Sequence, residues 1–259
     1  MIPRIIHQTY KTDNLPERWK GTPQTWKQHH PRWKYMFWSD HDNRELIKRV
    51  DPEFLPMYDA YKYPIQRADA VRYYILKHYG GIYVDLDMQA NASFDSVFEK
   101  MEMEQKSVGL FSSGNRLFGQ TSLTNSIMIA ASHTRFFDLV IQKLKQRSSY
   151  DYWTPHLTIM KTTGPLLIDN AWRTTRRTAH TDEVEIFPDF LSSCNVCNLQ
   201  NQDTCITKNK YLKMMIGHSW HNFDSKVINF LFCNRVKILV VVLIIVLYVY
   251  SSQSHSPHP

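Results

Sequence analysis

Three features of the 259-residue chain predict a layered α/β fold. Short strand-type runs alternate with helix-type segments, which is typical of a sheet covered by helices. A helix-type segment, residues 65–79, ends at Gly80-Gly81 and leads directly into an apolar strand. That strand ends in two carboxylates, Asp85 and Asp87, and the carboxyl ends of strands are where α/β folds bind their ligands.

The predicted elements follow in order along the chain. Strands are expected at residues 2–9, 33–39, 107–112 and 125–130, and helices at residues 22–30, 42–50, 54–61, 65–79 and 134–146. Pro31 separates the first helix from the second strand. Residues 1–225 are the usual size of one catalytic domain with a substantial core.

The D-x-D pair suggests a metal site. If residues 83–89 continue as a strand, Asp85 and Asp87 project to one face and their apolar neighbours to the other. Two hard oxygen ligands suit Mg²⁺ or Mn²⁺, ions that share the rest of their coordination shell with a substrate diphosphate. A surface strand end carrying two carboxylates by chance is the alternative.

The helix before the pair carries charge within its apolar stripe. Asp69 and Arg72 fall on the i, i+3, i+4 face that also holds Ile65, Ile75 and Leu76. Burying charge is costly unless the charge is paired or functional, so the pair is a candidate for substrate positioning. The alternative is an ion pair solvated at a groove edge.

Four segments carry a family resemblance. The first is Arg67-Ala68-Asp69-Ala70-x-Arg72-Tyr73 followed by Gly80-Gly81-Ile82-Tyr83-Val84-Asp85-Leu86-Asp87; the others are residues 2–12, 152–166 and 217–221, the last containing Ser-Trp-His. In this order they resemble the D-x-D glycosyltransferase family of inositol-phosphorylceramide mannosyltransferases and initiating α-1,6-mannosyltransferases.

The resemblance implies a GT-A nucleotide-sugar-transferase fold that uses Mn²⁺ or Mg²⁺. It implies that Asp87 coordinates metal and diphosphate directly, and that Asp85 holds the donor sugar or ribose and reaches the metal through water. It also implies that Asp69 and Arg72 position the sugar. Expected substrate-binding residues are His7, Gln8, Thr9, Tyr10, Gly164 and Trp220. His221 is the expected third metal ligand with His218 as the alternative, since Met214 and Met215 stand where many relatives have a histidine.

The implied reaction is the transfer of mannose, with retention of configuration, from GDP-mannose to an inositol-phosphorylceramide-type lipid. The resemblance is also compatible with a regulatory subunit as a partner. A UDP-sugar transferase acting on a glycan is the alternative enzyme. A phosphatase with an aspartate nucleophile would need Thr where Gln89 stands. A catalytically silent membrane adaptor disagrees with the intact Asp69, Arg72, Asp85 and Asp87.

The distribution of charged residues and cysteines limits the classes of binding partner and bound metal that the sequence predicts. The formal net charge is +7, but Lys and Arg are scattered, so an anionic membrane or anionic substrate is expected and a nucleic acid is not. Cys194-x-x-Cys197 with Cys205 lacks a fourth zinc ligand at the usual spacing, which leaves a loop disulfide or free thiols. Asn91-Ala92-Ser93 matches a glycosylation sequon, a tripeptide that also occurs by chance.

The C-terminus is predicted to be a membrane anchor. Residues 238–250 are unbroken apolar, follow Arg235 and Lys237, and precede a polar tail, so residues 226–259 are expected to form a single-pass anchor. A buried β-strand is the alternative. The two basic residues favour a cytosolic catalytic side, whereas the resemblance implies the lumen of the Golgi or another endomembrane, and the orientation stays open.

Overall fold

The computed structural model describes residues 1–117, 120–177, 183–188, 190–191, 194, 197, 204–215, 217 and 223–254, with side chains left out at 114–121 and 248–254. The chain forms two compact units, Met1–Ser219 and Trp220–Pro259. The first unit is a mixed α/β domain, and the predicted alternation of strands and helices is confirmed.

The strands of the first unit are β1 (Ile5–Thr9), β2 (Lys34–Trp38), β3 (Gly81–Val84), β4 (Met88–Ala90), β5 (Val108–Leu117), β6 (Gln120–Ala130), β7 (Val184–Phe187), β8 (Thr204–Ile206) and β9 (Leu212–Met215). Its helices are α1 (Thr22–His29), α2 (Asp40–Val50), α3 (Leu55–Asp59), α4 (Pro64–Tyr79), α5 (Asp95–Met103), α6 (Arg135–Arg147), α7 (Pro155–Thr162) and α8 (Pro165–Thr175).

The main sheet has six strands in the order β2-β1-β3-β6-β5-β7, and a smaller sheet has the order β4-β9-β8. β1 pairs in parallel with both β2 and β3, whereas β3 pairs antiparallel with β6. The carboxyl ends of β1 and β3 therefore lie at the same edge of the sheet, where the end of β3 is beside the middle of β6. This edge of the sheet is where the D-x-D segment emerges.

Helix α4 is the central helix of the domain. Residues 69–76 are all buried, so the helix is enclosed on most of its circumference and not on one stripe alone, as its periodicity predicted. It packs against α2, α6 and the sheet, and Tyr73 contacts Phe137 of α6. Burial of each large apolar side chain contributes roughly 1.5 to 3 kcal/mol. The apolar face predicted for α6 is confirmed, since Phe137, Val140, Ile141 and Leu144 are all buried.

The predicted continuation of the strand through the D-x-D pair is wrong. β3 ends at Val84, and residues 85–87 form a turn in which the backbone N–H of Met88 donates to the carbonyl oxygen of Asp85 at 3.1 Å. The backbone N–H of Asp85, just beyond the end of β3, donates to the carbonyl oxygen of Ser126 of β6 at 2.8 Å. The two carboxylates are therefore placed by a turn and not by strand alternation.

The unit Trp220–Pro259 contains one described helix, Phe223–Ser254, so the β-strand alternative for this segment is wrong. Residues Phe223–Leu247 are long and apolar enough to cross a membrane, with a hydropathy of 2.5 and none of that window buried. At about 1.5 Å per residue, 25 residues reach roughly 37 Å, which exceeds a hydrocarbon core of about 30 Å.

A loop disulfide joins Cys194 to Cys205, eleven residues apart in sequence. None of the four cysteines is free. The disulfide alternative left open by the sequence is therefore confirmed over free thiols.

Two glycines allow α4 to pass directly into β3. Gly80 and Gly81 have φ of +64° and +92°, a region that favours glycine. A Cβ on Gly81 would lie 2.4 Å from the carbonyl oxygen of Ile5, so no side chain fits between β3 and β1. The start of the D-x-D strand depends on this close approach.

We expect Gly81→Ala to destabilise the domain by about 1 to 3 kcal/mol, because it adds both backbone strain and a backbone clash. Gly21→Ala is the matched control, since nothing lies within 4 Å of a Cβ there. Thermal unfolding of the full-length chain measures both. Equal unfolding temperatures for the two variants would contradict the packing described for Gly81.

Candidate active site

A cluster of charged and polar side chains, most of them buried, lies at the carboxyl ends of β1 and β3. Helix α4 contributes Asp69 and Arg72, the turn after β3 contributes Asp85 and Asp87, and β6 contributes Asn125. Asp69 and Arg72 are one helical turn apart, so both side chains face the D-x-D turn. The structure thus brings together the four residues that the sequence predicted to be catalytic.

Arg72 lies between two carboxylates. Its Nη2 is 3.0 Å from Oδ1 of Asp69, and its Nη1 is 3.1 Å from Oδ1 of Asp85. The side chain of Arg72 is 3% exposed, and that of Asp69 is 5% exposed. The predicted alternative of an ion pair solvated at a groove edge is therefore wrong: the pair forms, but it is buried.

Backbone carbonyls and an aromatic ring complete the environment of this guanidinium. Nη1 donates to the carbonyl oxygen of Asn125 at 2.8 Å and Nε to that of Ala68 at 3.2 Å. The guanidinium carbon lies 4.7 Å from the centre of the Tyr83 ring. Burial opposes the charge of Arg72, but the neighbouring carboxylates and tyrosines outweigh it and raise its pKa. Arg72 therefore stays cationic and fixed.

Asp69 is held by polar neighbours that sequence patterns did not reveal. Asn125 Nδ2 donates to its Oδ1 at 2.9 Å, and the Thr163 hydroxyl donates to its Oδ2 at 3.1 Å. Asn125 Nδ2 also lies 3.1 Å from the Tyr73 hydroxyl, which donates to the carbonyl of Thr163. Burial raises the pKa of Asp69 to about 6, although Arg72 opposes the rise. Both carboxylate oxygens of Asp69 are bonded within the protein, so the role that the structure supports for Asp69 is to orient Arg72.

Gly164, a predicted substrate-binding residue, lies against this network. It precedes α8, and a Cβ added to it would lie 3.0 Å from the carbonyl oxygen of Ile159 and 3.5 Å from Oδ2 of Asp69. Its absence of a side chain keeps the end of α7 close to Asp69. A contact between Gly164 and substrate stays a prediction.

Asp85 is the partly exposed member of the cluster. Its side chain is 31% exposed, and its Oδ1 accepts from the Tyr83 hydroxyl at 3.0 Å as well as from Arg72. Burial raises the pKa of Asp85, and the bonds from Arg72 and Tyr83 oppose the rise. Oδ1 is thus engaged inside the protein, whereas no described residue forms a hydrogen bond with Oδ2.

Asp87 carries an unused buried oxygen. Its Oδ1 is buried without a hydrogen-bond partner among the described residues, a costly arrangement for a carboxylate. Burial and repulsion from Asp85 together raise the pKa of Asp87 to about 7. A divalent cation bound by both carboxylates would satisfy this oxygen and offset the repulsion. The donor set therefore fits Mg²⁺ or Mn²⁺.

The end of β9 and Gly217 lie against Asp87. The backbone N–H of Met215 donates to the carbonyl oxygen of Asp87 at 2.9 Å. A Cβ on Gly217 would lie 1.5 Å from Oδ2 of Asp87, so only glycine fits there. His218, Trp220 and His221, the predicted third-ligand candidates and aromatic contact, lie outside the described residues. Among the described part of the chain, no three His, Cys, Asp or Glu side chains cluster as a complete metal site.

His7 and Gln8 of β1 are buried and form hydrogen bonds with the backbone on either side of β3. Trp38 Nε1 donates to His7 Nδ1 at 3.2 Å, so the ring proton is on Nε2, which donates to the carbonyl oxygen of Gly80 at 2.9 Å. Gln8 Nε2 donates to the carbonyl oxygen of Asp85 at 3.3 Å. Both ring nitrogens of His7 are engaged, so it supports the Gly80 turn and has no ring nitrogen left for a substrate.

Thr9 and Tyr10 lie at the end of β1. The Thr9 hydroxyl donates to the carbonyl oxygen of Trp38 at 3.0 Å and accepts from Asn43 at 2.7 Å. Tyr10 packs edge-on against Trp19, with ring centres 5.9 Å apart. Contacts of Gln8, Thr9 and Tyr10 with a donor stay predictions.

The fold and this site define a class: an α/β domain with a buried Asp-Arg-Asp cluster and a D-x-D turn at the edge of the sheet is typical of nucleotide-sugar transferases. The family model for the glycosyltransferase sugar-binding region containing the DXD motif matches residues 16–107. This region includes Asp69, Arg72, Asp85 and Asp87.

Curated relatives agree. The chain is 36% identical over 248 residues to inositol phosphoceramide mannosyltransferase 2 of Schizosaccharomyces pombe, covering 96% of this chain and 66% of the relative. It is 35% identical over 225 residues to the mannosyl phosphorylinositol ceramide synthase CSH1 of Saccharomyces cerevisiae, covering 87% and 54%. The chain belongs to this family of DXD glycosyltransferases. It spans between about half and two thirds of the length of these relatives.

Solved structures match in fold. The UDP-bound glycosyltransferase domain of the YGT toxin superposes with a TM-score of 0.54 at 10% identity, covering 78% of this chain and 82% of that chain. PaToxG glycosyltransferase superposes with a TM-score of 0.50 at 16% identity, covering 67% and 69%. The predicted glycosyltransferase fold is confirmed, and family membership removes the phosphatase alternative.

The buried neutral state of His7 predicts a pH dependence of stability. Burial lowers the pKa of His7 from 6.5 to about 4, although the bond to Gly80 opposes the shift. Between these values the unfolded chain binds a proton that the folded chain does not, so stability is full above pH 6.5 and falls as the pH drops toward 4. A shift of this size corresponds to about 3 kcal/mol.

Denaturant unfolding of the full-length chain at pH 7.5 and pH 5 measures this effect. His7→Gln should lower stability at pH 7.5 and remove part of the loss between the two pH values. His41→Gln is the control, because His41 is exposed, and it should keep the full loss. An unchanged pH dependence in His7→Gln would contradict the assignment.

Proposed function

We propose that the chain is a metal-dependent, retaining glycosyltransferase that transfers mannose from GDP-mannose to an inositol-phosphorylceramide-type lipid. The observation that carries the proposal is the buried, unpartnered Oδ1 of Asp87 beside the available oxygen of Asp85. Two such oxygens at the edge of the sheet suit a cation that also binds a nucleotide diphosphate.

The choice of donor and acceptor rests on the relatives. Their names assign mannosyl transfer to inositol phosphoceramide, and four of them are 33 to 36% identical to this chain over 86 to 96% of its length. The D-x-D turn itself recognises any nucleotide diphosphate. A UDP-sugar donor is therefore the competing proposal, and a panel of donors separates the two.

Asp87 and Asp85 would hold Mn²⁺ or Mg²⁺, and His221 is the proposed third ligand. When bound, the cation supplies Lewis-acid stabilisation of the departing diphosphate. Arg72 prevents Asp85 from turning away, because it holds Oδ1 of that carboxylate within the domain. Asp69 in turn fixes Arg72, so the donor meets a preorganised group of charges.

Transfer with retention proceeds on one face of the sugar. The bond between the anomeric carbon and the donor phosphate breaks, and the acceptor hydroxyl oxygen forms the new bond from the same face. The hydroxyl proton passes to the leaving diphosphate, so no nucleophile from the chain is required. The chain contributes orientation and charge, which are worth several kcal/mol in such sites.

A lipid acceptor suits the membrane features. The C-terminal helix is a candidate span, and Trp153 before α7 is 99% exposed, as is typical of aromatic side chains that enter a membrane interface. The segment from Trp153 continues through α7 to Thr163, which bonds Asp69. These features support an acceptor presented at a bilayer surface, and we propose the Golgi or another endomembrane as that bilayer.

We expect Asp87→Asn to reduce transfer by at least about 100-fold while the domain stays folded, because it removes one charged ligand of the cation. Asp13→Asn, at an exposed carboxylate, is the control and should keep full activity. The assay is mannose transfer and donor hydrolysis by the full-length chain in nanodiscs, with GDP-mannose and UDP-sugars in parallel.

Chelation of divalent cations should abolish turnover, and Mn²⁺ or Mg²⁺ should restore it. Full activity of Asp87→Asn, or of the wild type after chelation, would overturn the metal assignment. Hydrolysis of UDP-sugars alone would overturn the choice of donor but keep the transferase proposal.

A further inference from the structure

One tripeptide of the domain has no part in the proposed chemistry. Asn91-Ala92-Ser93 is the single N-x-Ser/Thr sequence in the chain, and its middle residue is not proline. Such a tripeptide can accept an N-linked glycan when it lies at the surface of a protein in the secretory pathway. Whether this one does so depends on its exposure and on its compartment.

Asn91 meets the first condition. It directly follows β4 and is exposed in the connection to α5. Its Nδ2 donates to the carbonyl oxygen of Lys210 at 3.0 Å, which uses one of its two amide hydrogens. Its backbone N–H donates to Tyr211 at 2.8 Å, so the residue is fixed at the surface with its amide accessible.

Ser93 is compatible with the same role. Its hydroxyl accepts from the backbone N–H of Asp95 at 3.1 Å and donates to that carboxylate at 2.9 Å, at the start of α5. Neither bond involves Asn91. Both bonds can therefore persist when Asn91 is modified.

The disulfide meets the second condition. Cys194 is bonded to Cys205 within the domain, and none of the four cysteines is free. Disulfides of this kind persist in oxidising compartments and are rare in the cytosol, where thiols are kept reduced. The basic residues Arg235 and Lys237 favour a cytosolic position of the domain, but two charges give only a weak preference for one membrane orientation. The disulfide bond is the stronger evidence for the compartment in which the domain lies.

We propose that Asn91 carries an N-linked glycan; the lumenal placement that this modification requires is the one that the family resemblance implies. The amide nitrogen forms a bond to the anomeric carbon of an oligosaccharide supplied on a lipid diphosphate. The bond from that carbon to the diphosphate breaks, and the amide proton is lost to a base of the modifying enzyme. The glycan then covers the turn at Lys210, away from the Asp87 carboxylate at the other end of β4.

The test is the electrophoretic mobility of the full-length chain made in yeast, before and after digestion with a peptide-N-glycosidase. We expect digestion to cause one downward step in the wild type and none in Asn91→Gln. Asn209→Gln is the control, since Asn209 is an exposed asparagine outside any sequon, and it should keep the step. No glycosidase-sensitive step in the wild type and in Ser93→Thr, which retains a sequon, would overturn the proposal.

A second measurement addresses the compartment without using the glycan. A thiol-reactive polyethylene glycol, applied to detergent-solubilised membranes, should label the cysteines only after reduction. Full labelling without a reductant would overturn the lumenal placement. Neither measurement depends on mannose transfer, so failure here is distinguishable from failure of the proposed function.

Discussion

The burial of Arg72 between Asp69 and Asp85 is the interaction on which the site depends. Removing each ion from water costs several kcal/mol, and attraction offsets this only when the geometry is good and further hydrogen bonds are made. Here one guanidinium serves two carboxylates, and carbonyl oxygens of Ala68 and Asn125 take further N–H groups. α4, β6 and the D-x-D turn are therefore held in one arrangement.

This arrangement explains why Asp87 differs from Asp85. Arg72 satisfies one oxygen of Asp85, whereas no described side chain reaches the buried Oδ1 of Asp87. Gly217 closes over the other oxygen, and the Gly80-Gly81 step with His7 beneath it fixes where the strand begins. The polar contacts of the domain thus orient Asp69, Arg72 and Asp85, and one oxygen of Asp87 is left for a ligand.

Local sequence patterns predicted much of this, and the limits are physical. Helix α4, its glycine end and the D-x-D segment have strong local signals, and the charged residues inside an apolar helix pointed to the site. The strand alternation failed because the chain turns at residues 85–87, where the carbonyl oxygen of Asp85 accepts from the backbone N–H of Met88 and from Gln8 Nε2. The contact with Gln8 is tertiary and has no local signal in the sequence. Thr163 and Gly217 come from segments distant in sequence, so local patterns did not indicate their place in the site. Asn125, a polar residue at the start of a predicted apolar strand, was a local signal for a site residue.

A double-mutant cycle on Arg72 and Asp85 tests the central claim most directly. Arg72→Met, Asp85→Asn and the double variant are compared with the wild type by denaturant unfolding of the full-length chain at pH 7.5. If the guanidinium compensates the buried carboxylate, Arg72→Met should cost about 3 to 5 kcal/mol, and much of this loss should disappear when Asp85 is already neutral. Additive losses, with coupling below about 0.5 kcal/mol, would contradict the account.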